Sequence, residues 1–149
     1  EMTDAQVGAS DPSWLGIQEI ELSKASDASN AFASGGVNNI TASSYWTIIT
    51  NYPPSDAFDG GTANGWYCYP QGSTPLNQWI QAKIAAGSTA VNKLRVYLNV
   101  GQQNPRLINV FTSNAASPGA KTFGSAHADW TSRGSLTPTG TTGWYELNL

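Results

Sequence analysis

Sixteen aromatic residues, six of them Trp and six Tyr, are spread through 149 positions. Tyr45, Trp46, Tyr52, Tyr67, Tyr69 and Trp130 lie outside the runs of alternating hydrophobicity, in stretches that read as loops. A ring held in a loop offers a flat apolar face of the kind that stacks on the C–H faces of a sugar ring. Gln102, Asn104, Arg106 and His127 supply the complementary chemistry, because amide, guanidinium and imidazole groups bond hydroxyl oxygens. A few such polar groups converging on aromatic walls make a small-molecule site. The competing use of each ring is to seal its loop against the core, and the residue types alone leave both uses open.

Catalytic chemistry is poorly supplied. His127 is the single histidine, and Ala126-His127-Ala128-Asp129 has nothing of a nucleophile elbow. A glycoside hydrolase needs two carboxylates flanking a sugar, and the nearest pair, Glu19 and Glu21, belongs to one strand. Cys68 stands between Tyr67 and Tyr69 with no histidine beside it, which suits a buried thiol. No glycine-rich phosphate loop occurs. The expectation is a protein that binds and does not catalyse.

Composition narrows the partners. Charged residues make up 11% of the chain, well below the roughly 25% usual in soluble domains. Ser, Thr, Asn, Gln and Gly must therefore cover the surface. The net charge is −3 and the seven basic residues are scattered, so nucleic acid is not an expected partner. A single cysteine excludes an intrachain disulfide and a cysteine-rich metal site. No window of 18 apolar residues occurs, so membrane insertion is not expected either. Glu1-Met2-Thr3-Asp4 lacks the pattern of a signal peptide and reads as the start of a mature protein or of a piece of a longer one.

The elements that position these groups read as strands. Ile17 to Leu22 alternates, with Ile20 and Leu22 on one face and Glu19 and Glu21 on the other. Gln78 to Ile84 turns Ile80, Ala82 and Ile84 inward. Lys93 to Val100 sets Leu94, Val96, Leu98 and Val100 against Lys93, Arg95, Tyr97 and Asn99. Leu107 to Thr112 and Trp144 to Leu149 complete the set. Gly-Gly, Pro-Pro and Asp-Gly breakers separate them, and only Pro54 to Phe58 suggests a helical turn. The expected fold is all-β, a jelly-roll β-sandwich forming one domain over residues 1–149.

Two segments point to a family. Asp56-Ala57-Phe58-Asp59-Gly60-Gly61-Thr62-Ala63-Asn64-Gly65-Trp66, followed by Asn77-Gln78-Trp79-Ile80-Gln81, resembles the discoidin family: coagulation-factor type C domains and the galactose-binding-like carbohydrate modules. Asn39 to Ser44 resembles the family's opening strand, and Asn104-Pro105-Arg106 the stretch before a later one. The Glu-Ile-Glu strand that normally closes these domains is similar to Gln18-Glu19-Ile20-Glu21-Leu22, which here stands near the start. The chain thus looks like a circularly permuted discoidin-like domain, of the kind found in phage tail and bacterial surface proteins.

The resemblance implies several things. Trp66 and Trp79 would be core residues, joined by Phe58, Leu98 and Phe111. The segment from Gln18 to Leu22 would lie beside the turn at Asp59. That turn would hold a structural calcium through Glu19, Asp56, Asp59, Gly61 and Asn64. Gly61 and Asn64 depart from the usual Asp or Asn and Thr, which removes an anionic ligand. Asp59 capping its own turn is the competing reading. Glycans would bind loops at one end of the sandwich, at Trp46, Tyr52, Tyr67, Tyr69, Gln102, Asn104 and Arg106. The protein would be an extracellular or virion-surface module that binds weakly and gains avidity from several copies. Assembly or decoration of a virion or filament, through sister subunits or other surface proteins, is the alternative. Lipid binding is a third, without the basic ring it would need.

Overall fold

A computed structural model describes residues 2–5, 15–32, 37–42, 52–68, 78–84, 90–99, 105–115 and 129–149. These residues are all-β. In chain order they form β1 (Met2–Ala5), β2 (Leu15–Ile17), β3 (Glu19–Lys24), β4 (Val37–Ala42), a 3-10 helix (Pro54–Phe58), β5 (Trp66–Cys68), β6 (Ile80–Ile84), β7 (Val91–Leu98), β8 (Pro105–Thr112), β9 (Thr131–Leu136) and β10 (Gly143–Asn148). Every strand pairing is antiparallel, in sheets ordered β10-β7-β3, β1-β8-β9, β2-β5 and β4-β6.

β7 forms for the reason its sequence suggests. Leu94, Val96 and Leu98 are buried, while Lys93, Arg95 and Tyr97 alternate with them on the other face. Each fully buried Val or Leu stabilises the sheet by roughly 1.5–3 kcal/mol. β3 and β10 flank β7 with Ile20 opposite Val96 and Tyr145 opposite Val96 from the other side, so inward residues share one row. Ile108 and Val110 of β8 and Leu136 of β9 join the same buried cluster as Leu94, Val96 and Leu98. The two three-stranded sheets therefore contribute to one core. Ile80, Ala82 and Ile84 of β6 pack against it half-buried, as their alternation suggests.

β5 is held differently. All three of its residues are buried, and it pairs with β2 through Gly16 opposite Tyr67 and Ile17 opposite Trp66. A Cβ on Gly65 would lie 2.5 Å from the carbonyl oxygen of Ile17 and 2.7 Å from Cα of Gln18. Backbone meets backbone there, so no side chain fits. Trp66, at 0% exposure, is the largest fully buried side chain. Phe58, Leu98 and Trp66 take their expected core places, whereas Trp79 and Phe111 are only half-buried.

Two details depart from the strand expectations. Gln78 makes an isolated bridge and Trp79 none, so β6 starts at Ile80. β9 has no alternating pattern: Thr131 to Ser135 are exposed and only Leu136 is buried. It forms because β8 offers it a partner edge, with a register shift between Val110 and Phe111 and Gly134 at φ 114°. Positive φ at that position suits glycine. No helix among the described residues is long and apolar enough to cross a membrane.

Candidate functional site

The turn that follows the 3-10 helix is the most unusual electrostatic feature among the described residues. Pro53 and Pro54 fix the entry, and Asp56 N–H donates to the Pro53 carbonyl at 3.1 Å. Ala57 and Phe58 then plunge into the core, where the Phe58 ring meets Phe32 edge-on at 5.0 Å. The chain is thereby anchored immediately before Asp59. Gly60, at φ +84°, reverses its direction in a conformation that disfavours side chains. Gly61 N–H donates to Asp59 Oδ1 at 2.7 Å, an Asx-type turn.

This turn lies over Glu19. Gly60 N–H donates to Glu19 Oε2 at 3.1 Å, across 41 residues of sequence. Alternation suggested an outward Glu19, on the face shared with Glu21. The side chain does leave the sheet on that face, but the turn covers it and leaves the residue 1% exposed. Oε1 has no hydrogen-bond partner. Burial pushes the carboxyl pKa up to about 8; the Gly60 N–H opposes the shift, and the nearby Asp59 and Glu21 charges add to it. Asp56 is also held above its ordinary range, by burial first and then by Asp59.

The structure thus brings Glu19, Asp59, Gly60 and Gly61 together, with Asp56 close enough for Asp59 to perturb it. Asn64 is exposed, two residues before β5. Among the described residues no three His, Cys, Asp or Glu side chains group as a metal site. A cation here would rely on two carboxylates and on backbone oxygens. The unpartnered Oε1 of Glu19 is the group that fits such an ion. Asp59 Oδ1 is already occupied by its own turn, as the capping alternative requires.

Of the expected ligand residues, Tyr52, Tyr67 and Arg106 are described; Trp46, Tyr69, Gln102 and Asn104 lie outside the described residues, as do Tyr45 and His127. Tyr52 and Tyr67 meet edge-on with centroids 4.6 Å apart. Tyr67 is not the loop aromatic that its sequence suggests. It belongs to β5, is 7% exposed, and its hydroxyl accepts from Gln18 Nε2 at 2.9 Å. The space for its ring exists because Gly16 has no side chain: a Cβ there would sit 2.6 Å from Tyr67 Cε1. Burial raises its phenol pKa, partly offset by the Gln18 bond. Arg106 is exposed on β8, directly after the buried Pro105 that opens the strand.

A second constellation has no motif in the sequence to announce it. On the face of β10-β7-β3 away from the core, Trp144 and Tyr97 meet edge-on at 5.3 Å and the Arg95 guanidinium lies 4.3 Å from the Trp144 ring centre. Alternation put Tyr97 and Arg95 on this face, but only the register of β10 on β7 brings Trp144 to them.

No family model, curated protein or solved structure matches the chain.

Proposed function

We propose that the chain is a non-catalytic carbohydrate-binding module, built as a circularly permuted discoidin-like jelly-roll sandwich and carried on a phage, virion or bacterial surface. One observation carries this reading: the Gly60 to Glu19 hydrogen bond. A permuted discoidin-like arrangement requires the Glu-Ile-Glu strand to lie beside the Asp-Gly turn, and nothing local in the sequence would place it there. Glycan binding is the usual work of discoidin-like modules, and it resides in their loops and not in the sandwich itself. Tyr52, Tyr67 and Arg106 are the described candidates for such a site; Trp46, Tyr69, Gln102 and Asn104, the other candidates from the sequence, lie outside the described residues. Tyr67, buried and held by Gln18, would back the half-buried Tyr52 ring from beneath, and Arg106 would donate to ring and hydroxyl oxygens.

The turn is the place for a structural calcium. Glu19 would supply its unpartnered oxygen and Asp59 its carboxylate, with Asp56, Gly61 and Asn64 as the remaining candidates. The ion would neutralise charge at a buried carboxylate and fasten the turn to β3.

A glycan array displayed multivalently, run on the wild type and on Arg106→Ala beside thermal melts, tests the binding reading. Loss of binding at an unchanged melting temperature is the expected result. Failure of the wild type to bind any glycan would transfer the function to virion or filament assembly. For the metal, a chelator should lower the melting temperature of the wild type and leave that of Asp59→Ala unmoved, because a ligand of the folded state stabilises by mass action. A melt indifferent to chelator, with Asp59→Ala still destabilised, leaves the turn cap alone.

A further inference from the structure

The loop from Asp59 to Trp66 has two positions at which a side-chain carbonyl carbon precedes a glycine. Asp59-Gly60 and Asn64-Gly65 are the single Asp-Gly and the single Asn-Gly pair of the chain. Such pairs can close a five-membered imide, because a glycine nitrogen is approached with little steric hindrance. The structure treats the two pairs differently. At Asp59-Gly60 both reacting groups are engaged: Asp59 Oδ1 accepts from Gly61 N–H at 2.7 Å, and Gly60 N–H donates to Glu19 Oε2 at 3.1 Å. At Asn64-Gly65 the asparagine is exposed in a bend before β5, and its carboxamide has no hydrogen-bond partner among the described residues.

Gly65 is one fixed end of this loop, packed on the backbone of Ile17 and Gln18 with no room for a Cβ. Gly60 is the other, bonded to the carboxylate of the next residue, Glu19. Both anchors belong to one short stretch, so the length of chain between them is set. We propose that Asn64 is a site of spontaneous covalent modification that unfastens the turn from β3. The Gly65 nitrogen attacks Asn64 Cγ, the Cγ–Nδ2 bond breaks, and Nδ2 leaves as ammonia with the proton from Gly65. Water then opens the succinimide. Attack at Cγ breaks its bond to the Gly65 nitrogen and leaves an ordinary main chain with aspartate at 64. Attack at the main-chain carbonyl carbon leaves isoaspartate, whose β-carbon then lies within the main chain. Either product adds a negative charge to a loop that already carries Asp59 over Glu19. Only isoaspartate lengthens the chain between the two fixed ends, so it lifts Gly60 off Glu19 or Gly65 off Ile17.

The test ages the whole chain in mildly alkaline buffer, folded and in urea, and follows every Asn and Asp by peptide mass mapping. In the folded chain Asn64 should convert about tenfold faster than any other asparagine, a barrier lower by about 1.4 kcal/mol. Asp59 should isomerise only in urea, where its partners are gone. The isoaspartate fraction, separated by chromatography, should melt lower than the fresh chain and exchange its Gly60 amide proton faster. Asn64→Asp brings the charge without the extra carbon and should keep that amide as slow as in the fresh chain. Asn64→Gln should not age. An Asn64 that stays intact in the folded chain, whatever happens in urea, would overturn the site. An isoaspartate fraction with an unchanged Gly60 amide, or an Asn64→Asp chain that loses protection to the same degree, would overturn the unfastening. Chelator in every arm keeps the outcome independent of the calcium reading.

Discussion

Glu19 and Glu21 stand two residues apart on one strand and on one face, yet they live in opposite environments. Glu21 reaches Arg95 at 2.8 Å and keeps part of its surface in water. Glu19 is sealed beneath a turn, with the Gly60 N–H on one oxygen and the other oxygen unpartnered. The difference arises from what crosses above them. A cross-strand row supplies Glu21 with a cation, whereas the Asp59 turn brings Glu19 a lid and a further acid. Side-chain alternation dictates the face of a residue; only tertiary structure dictates whether that face is wet.

The largest test of this contrast is pH. Glu19 has a folded-state pKa near 8 against an ordinary 4.5, so the folded chain favours the protonated carboxyl. Its stabilising contribution is fully present below about 4.5 and is lost as pH rises through about 8. Melts in chelator should show stability falling by several kcal/mol across that window, with Glu19→Gln flattening the curve. Added calcium should reverse the slope, because it binds the ionised carboxylate. A flat wild-type curve would place Glu19 in water and erase the contrast.

A middle-sized effect comes from Gly65→Ala. The new methyl would strike the backbone of Ile17 and Gln18, directly before Glu19. Overpacking of this kind costs roughly 1–3 kcal/mol. It should also push the return of the turn off β3, so the Glu19 pKa, followed by carboxyl NMR, should drop toward its ordinary range. A destabilised variant with an unchanged Glu19 titration would show that the lid is held by something other than Gly65.

The smallest effect belongs to Glu21→Gln. The Arg95–Glu21 pair is partly solvated and its loss should cost no more than about 1 kcal/mol. The cost should shrink in high salt, whereas the Glu19 effect should not. Melts at two ionic strengths read this directly. A loss that salt does not reduce would put Glu21 in an environment like that of Glu19.

What could be read from the sequence follows the same division. Leu94, Val96 and Leu98 announce β7 because one buried face against one wet face imprints a period of two. The helical turn at Pro54–Phe58 was legible from its prolines and its Asp-Ala-Phe. β9 was not, since Thr131 to Ser135 have no buried side and owe their conformation to β8. Tyr67 was misplaced because Tyr67 and Cys68 sit among loop-forming residues, and the vacancy at Gly16 that receives the ring is fifty-one positions away. The nearness of Glu19 to Asp59 came only through the family resemblance. Composition and periodicity contain nothing about it, and burial of that acid runs against its type.

The pairing order bears on how the chain is made. Glu19 pairs opposite Tyr97, and Met2 opposite Ile108. On the ribosome β1 and β3 emerge well before β7 and β8 exist, so the Ile17 to Leu22 segment waits with an open edge and apolar side chains exposed. Contacts this distant in sequence slow folding and lengthen that exposure. Translation speed between residues 25 and 90, and whichever chaperone meets the nascent chain there, should therefore govern yield more strongly than any late event near the C-terminal strand.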